Sequence, residues 1–204
     1  METNLGLFLL SVAGVSLTGV MFPGPMTAAT IARGYSEKHA GARIAAGHAV
    51  IEIPLIAAIY FGLGHIIGSP PVTQGMYLAG GIMLLYLGFR MFRVAGGGIG
   101  NAGGLPANSF VTGVVITGTN PAFYIWWATV GAALIAGAAK FGLVGLVLLA
   151  MVHLPCDLAW SEFVSVGTFK SRRWWTGKAQ RIVFSVCALI LAGFGLWFCL
   201  SAFL

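Results

Sequence analysis

Charge is what this sequence has least of. Only 8% of its 204 residues are Asp, Glu, Lys or Arg, against about 25% in a soluble globular chain. So little charge cannot solubilise a surface over a chain that is 58% hydrophobic with a mean hydropathy of +0.93, which excludes a disordered chain and an ordinary soluble enzyme. Acids are the scarcest, five against eleven Lys and Arg. The resulting net charge of +6 does not indicate nucleic acid, because the basic residues are scattered in short loops between apolar runs rather than striped along one face. Cysteine is nearly absent as well. Cys156, Cys187 and Cys199 are odd in number, all fall inside apolar runs and have no Cys-x-x-Cys spacing, so neither a disulfide framework nor a zinc site is expected, and they read as small core residues.

What is present is a series of long apolar runs. A hydrocarbon core of about 30 Å needs about 20 residues of helix, and six such spans are predicted: 4–31, 42–67, 72–93, 109–136, 141–167 and 180–203. The first run is preceded by Glu2 and no basic residue, so it is expected to remain as a span rather than be cleaved as a signal sequence. Ten of the eleven Lys and Arg fall between spans one and two (Arg33, Lys38, Arg43), after span three (Arg90, Arg93) and between spans five and six (Lys170, Arg172, Arg173, Lys178, Arg181); Lys140 stands alone on the other side. Positive residues concentrate in cytoplasmic loops. The sequence therefore predicts a multi-pass protein of the cell membrane, with loops 33–43, 90–108 and 168–181 in the cytoplasm and both termini outside.

Three spans on each side of a Gly-rich segment suggest a duplication whose halves face opposite ways, since each half has an odd number of spans. Leu17-Thr18-Gly19 followed by the break at Pro23-Gly24-Pro25 corresponds to Ile116-Thr117-Gly118 followed by Asn120-Pro121. His48 and Glu52, four apart in span two, correspond to His153 and Asp157 in span five, and Leu87-Gly88-Phe89 corresponds to Ala192-Gly193-Phe194. The expected architecture is an all-α integral membrane protein: six transmembrane helices as a 3+3 inverted repeat, helices one and four broken, with 1–94 and 109–204 as the two repeats and 95–108 as linker. Within that linker Gly98-Ile99-Gly100-Asn101-Ala102-Gly103 matches G-x-G-x-x-G. The fingerprint binds a dinucleotide only between a strand and a helix, and a membrane span precedes it here, so it reads as flexible linker and no cofactor is expected.

An ionisable side chain at the bilayer centre costs at least about 2.5–3.5 kcal/mol on insertion scales. Glu2, Glu37 and Glu162 lie at or near span ends, which leaves Glu52 and Asp157 as deep acids; at 1.5 Å per residue each is roughly 15 Å from the end of its span. Each has a histidine one turn away on the same face. Because spans two and five run in opposite senses, the expected arrangement is a symmetric column of His48, then Glu52 with Asp157, then His153. Two adjacent carboxylates in low dielectric cannot both stay ionised, so the pair is expected to hold a proton that a cationic substrate group displaces, with the histidines as relays. The breaks at Pro23-Gly24-Pro25 and Asn120-Pro121 would expose backbone groups that must be satisfied by protein or by a water-filled cavity, and such breaks mark transporter binding sites. The helix restarting after Pro25 suits a substrate carboxylate, and Asn120 offers an amide.

Pro23-Gly24-Pro25, the spacing Gly41 to His48 entering span two, Tyr86-Leu87-Gly88-Phe89-Arg90 closing span three and Thr119-Asn120-Pro121 in span four together resemble the LysE/RhtB family of amino-acid exporters, over nearly the whole chain and in order. The resemblance implies a six-helix secondary exporter of amino acids or related small metabolites, driven by protons and working as a homodimer, with Pro23, Gly24, Pro25, Asn120 and Pro121 as site residues. The His48/Glu52 and His153/Asp157 pairs look like those of a divergent branch. These four side chains also suit a divalent metal such as Zn²⁺ or Mn²⁺, and the wider superfamily that the chain resembles includes metal-ion exporters, so metal transport is the alternative. A membrane enzyme or haem subunit using His48 and His153 is disfavoured, because no nucleophile motif or paired cysteines accompany them. The partners expected are a small-molecule substrate, protons and the lipid bilayer, and no nucleic acid.

Overall fold

The computed structural model describes residues 4–22, 24–63, 70–95, 105–174 and 176–203, and all the regular structure in them is helical. Pro23, His65, Glu2, Trp175 and the linker motif Gly98 to Gly103 lie outside the described residues. The helices are α1 (Leu5–Val20), α2 (Pro25–Ser36), α3 (Ala40–Ala58, continued by a π-helical turn at Ile59–Leu63), α4 (Pro70–Ala95), α5 (Ser109–Gly118), α6 (Pro121–Trp126, continued by a π-helical turn at Trp127–Gly131), α7 (Ala132–Ala139), α8 (Gly142–Ser171) and α9 (Gly177–Ser201). Five stretches are long and apolar enough to cross a membrane: Ala40–Leu63, Pro70–Arg93, Pro121–Ala139, Gly142–Trp174 and Gly177–Ser201. The pair α1 and α2, bent by 72° at its break, makes a sixth if it is one span.

Local chemistry sets where these helices begin and stop. Asn4 caps α1 by accepting from the Gly6 and Leu7 amides at 2.9 and 3.3 Å, and Asn108 caps α5 by accepting from Phe110 and Val111 at 2.8 and 3.4 Å. Pro25 and Pro121 each occupy the first turn of a new helix, where the missing N–H has no intrahelical role. Preceding each proline the backbone is extended, at Gly24 (φ −150°) and at Asn120 (φ −99°), as steric conflict with the proline ring requires. Hydroxyls within the helices bond back to carbonyls, Ser11 to Phe8 at 2.7 Å and Thr30 to Met26 at 2.9 Å, which satisfies them where no water is available.

Packing leaves apolar side chains on both sides of the helices. Leu10, Phe61, Phe163 and Leu189 are exposed, a surface that hydrocarbon can solvate. One buried cluster joins α2, α4, α5 and α9 through Ala28, Leu84, Ile116, Phe184 and Leu191, and a second joins α1, α3, α7 and α8 through Phe8, Val12, Leu55, Ile135 and Leu149. Buried Ser16, His48, Glu52, Thr117, His153 and Asp157 belong to neither cluster. Helix α3 carries His48 and Glu52 and α8 carries His153 and Asp157, and α3 lies against both α5 and α8. Those approaches depend on glycine: a Cβ on Gly47 would lie 2.1 Å from the Phe110 carbonyl oxygen, one on Gly113 would lie 2.1 Å from that of Ile44, and one on Gly41 would lie 2.0 Å from that of Ser161. Small residues at helix contacts let backbones approach this closely in membranes.

The basic loops meet at one end of the bundle. Arg33 donates to the Ala107 carbonyl at 2.6 Å and to Ser109 Oγ at 3.0 Å, and Arg172 donates to the Tyr35 carbonyl at 2.6 Å. Glu37 gathers Ser109 Oγ at 2.6 Å, Arg33 at 3.3 Å and Arg43 at 2.5 Å. His39, for which the sequence offers no partner, pairs with Glu162 of α8, whose other oxygen accepts from the Ala42 amide at 2.9 Å. If close backbone contact holds α3 against α5, Gly113→Val must push the helices apart at a cost of about 1–3 kcal/mol. The expected result is a lower thermal unfolding midpoint in detergent for that variant, with little change for Gly14→Val, whose side chain would meet nothing within 4 Å.

Candidate functional site

Helix periodicity puts His48 and Glu52 on one face of α3, and His153 and Asp157 on one face of α8. The packing of α3 on α8 then turns these faces toward each other. All four side chains are buried, Glu52 to 1% exposure. The result differs from the expected symmetric column: both histidines turn to the same acid. His48 Nε2 lies 3.0 Å and His153 Nε2 3.1 Å from Glu52 Oε1, and the Trp127 indole N–H donates to that oxygen at 3.1 Å. Asp157 Oδ2 stands beside them, 3.3 Å from His153 Nε2, but without hydrogen-bond alignment. Among the described residues Glu52 Oε2 and Asp157 Oδ2 have no hydrogen-bond partner. The asymmetry has a local cause. Trp127 sits in the π-helical turn after α6 and supplies its donor to Glu52, while its ring meets that of His153 edge-on at 5.1 Å.

An ionised carboxylate only accepts, so with Glu52 charged both histidines present Nε2–H to it. Their Nδ1 atoms face hydroxyls, Thr117 Oγ1 at 2.8 Å from His48 and Ser16 Oγ at 2.7 Å from His153. A hydroxyl can donate or accept. Each ring can therefore remain neutral, taking a hydrogen bond from its hydroxyl, or carry a second proton, giving one, without any heavy atom moving. The site accommodates a change of protonation within a fixed framework.

A cavity of about 460 Å³ opens on this network. Its wall carries His48, Glu52, His153 and Asp157, and also Gly24, Pro25 and Asn120 from the two helix interruptions. Pro121 is buried but does not line the cavity; a Cβ on Gly80 of α4 would lie 2.8 Å from its ring, so its contact is with α4. Trp126 and Trp160, for which lipid-facing or packing roles compete in the sequence, line the cavity too, Trp126 stacked on His153 at 5.7 Å. The Trp160 indole N–H is buried without a partner among the described residues. Single ligand atoms of His48, Glu52 and Asp157 lie within 4.8 Å of one another, a set able to hold a metal ion; His153 does not join that set.

Sequence reasoning did not assign Ser16 or Thr117 to the site, and for Trp127, as for Trp126 and Trp160, a pathway-lining role competes in the sequence with lipid-facing or packing roles. Thr117 belonged to a repeat motif, and a hydroxyl one or two residues from a helix break could have pointed to it; nothing marks Ser16.

Comparison with curated proteins gave no match, and comparison with solved structures gave none. The family model described as LysE type translocator matches residues 17–202, nearly the whole chain. With several membrane-crossing helices and a buried polar cavity, this multi-pass membrane transporter belongs to the LysE type translocator family.

Proposed function

We propose that this transporter exports amino acids or related small metabolites from the cytoplasm across the cell membrane, exchanging them for protons at Glu52 and Asp157. The observation that carries the reading is the pair of buried carboxylate oxygens, Glu52 Oε2 and Asp157 Oδ2, left without hydrogen-bond partners on the wall of a cavity. A buried carboxylate oxygen left unpaired is costly. A proton shared by the pair, or the ammonium of a substrate, relieves that cost, and the two compete for the same place. Substrate arriving from the cytoplasm displaces the proton; a proton arriving from outside releases the substrate. His48 and His153, with their reversible hydroxyl partners, carry the proton to and from the acids.

Several features support a 3+3 inverted repeat of 1–94 and 109–204 as the framework of this exchange. Exchanging the halves maps the packing of α4 on α9 and of α3 on α8 onto itself, and maps α3 on α5 onto α8 on α1. Asparagine caps the first helix of each half, and proline opens the helix after each interruption. In such a framework the interruptions between α1 and α2 and between α5 and α6 are broken membrane helices at the substrate site, with Pro23, Gly24, Pro25 and Asn120 beside the substrate and Pro121 opening the second restarted helix behind the wall. Loops 33–43, 90–108 and 168–181 face the cytoplasm on the weight of their basic residues, and the contacts joining Arg33 to Ala107 and Arg172 to Tyr35 agree with their lying on one side. The family's resemblance to homodimeric exporters extends the proposal to a homodimer.

A divalent metal as cargo is the second reading, favoured by the grouping of His48, Glu52 and Asp157. Three N–H donors already converge on Glu52 Oε1. A metal there would need the histidines to give up their Nε2 protons and would leave the Trp127 N–H facing a cation, so the amino-acid reading fits better.

Proteoliposomes with an acidic lumen test the exchange. Labelled amino acid is expected to accumulate while the pH difference lasts, and Glu52→Gln is expected to lower that accumulation at least tenfold; metal co-purifying in stoichiometric amount and lost in His48→Ala and Asp157→Ala would instead favour the metal reading. Orientation is tested with Ala107→Cys in a variant without native cysteines. A membrane-impermeant maleimide is expected to label it only after cells are permeabilised, and labelling in intact cells would reverse the topology.

A further inference from the structure

The site has one place for a cation and one for an anion, and no third place for a charge. Its cationic place is the pair of unpartnered oxygens on Glu52 and Asp157. One carboxylate oxygen of each acid lies within 4.8 Å of the other and of a His48 ring nitrogen, so the two acids together serve one cationic group rather than two held apart by a side chain. The anionic place is the start of α2. This helix is twelve residues long, and Gly24 gives it no side-chain cap, so among the described residues the amides of Met26 and Thr27 meet no capping side chain, and both residues line the cavity with Glu52 and Asp157. Free amides and the positive end of the helix dipole there favour a carboxylate. The start of α6 contrasts with it: Asn120 Oδ1 already takes the Ala122 amide at 3.2 Å.

Beyond these two places the wall is neutral. Among the described residues, the lining side chains other than the two acids and the two histidines are uncharged, and none is a lysine or arginine. Val164, Phe194, Trp197 and Met26 make its remaining surface mostly apolar. A zwitterion can set its ammonium at the acids and its carboxylate at α2, which leaves its side chain against this neutral wall. A second ammonium or a second carboxylate would be desolvated there without a counter-charge.

Resting on the exporter reading above, we infer that the carried substrates are α-amino acids with uncharged, mainly apolar side chains, and that lysine, arginine, glutamate and aspartate are excluded. Specificity comes from an absent third charge rather than from cavity size. The construction makes a gain of function predictable. Val164 lies seven residues beyond Asp157 on the same face of α8, and both line the cavity, so Val164→Glu supplies a second anionic place within reach of a substrate side chain.

The test uses wild-type protein in liposomes with an acidic lumen and measures uptake of labelled leucine, methionine, lysine and glutamate in parallel, with leucine methyl ester and 4-methylpentanoate as competitors. Leucine and methionine are expected to enter at least tenfold faster than lysine or glutamate, and both competitors, each lacking one charge, to inhibit leucine at least tenfold more weakly than unlabelled leucine does. Val164→Glu is expected to raise lysine uptake relative to leucine; the wild-type panel decides alone if that variant does not fold. Lysine or glutamate entering as fast as leucine overturns the inference and leaves the exporter intact. Failure of all four to enter overturns both.

Discussion

The buried polar network between α3 and α8 converges on one carboxylate oxygen. Glu52 Oε1 is held by His48, His153 and Trp127, three donors from three separate helical segments, at 1% residue exposure. An acid so buried would be prohibitive in an apolar core without donors of this kind. The arrangement leaves its other oxygen and one of Asp157 unpartnered among the described residues, so one side of the acid is anchored while the other is available. Stability and function are thereby assigned to different atoms of one side chain.

That division imposes requirements on the helices. Donors from α3, α8 and the turn after α6 can reach one oxygen only if the backbones come very close, which explains why Gly41 and Gly47 occupy two faces of α3. Trp127 reaches the acid from a π-helical turn, a local widening often found at functional sites. The interruption before α2 supplies something different, an uncapped helix start on the wall of the same cavity. Two carboxylates and the start of α2 thus line one cavity, and the proposed competition between proton and ammonium rests on that juxtaposition.

Much of this was legible in the sequence, for identifiable reasons. Several apolar spans were visible because charge is so scarce, and Glu52 and Asp157 stood out as acids within them, which the structure buries. The i,i+4 spacing correctly put each histidine on the face of its acid. That both histidines would choose Glu52 was not legible, since it depends on how α3 and α8 are rotated against each other, which a helical wheel for either one leaves open. That Trp127, a candidate pathway residue in the sequence, would donate to Glu52 was not legible for a related reason: four residues of an apolar helix stand between it and the Ala122 amide cap, and the π-helical turn decides where its ring points. His39 and Glu162 lie 123 positions apart, too far for any local pattern to pair them. Pro121 opens a helix, yet its ring faces α4 rather than the cavity, because a proline that opens a helix shapes the chain whether or not it meets a ligand.

The central claim is that substrate ammonium and proton compete for Glu52 and Asp157, and proton release on binding measures it directly. Purified protein in weakly buffered detergent at neutral pH, titrated with leucine and followed by a pH-indicating dye or by calorimetry in buffers of different ionisation enthalpy, should release close to one proton for each leucine bound. Glu52→Gln should lower or abolish that release. Saturable leucine binding by the wild-type protein with no proton released would contradict the account.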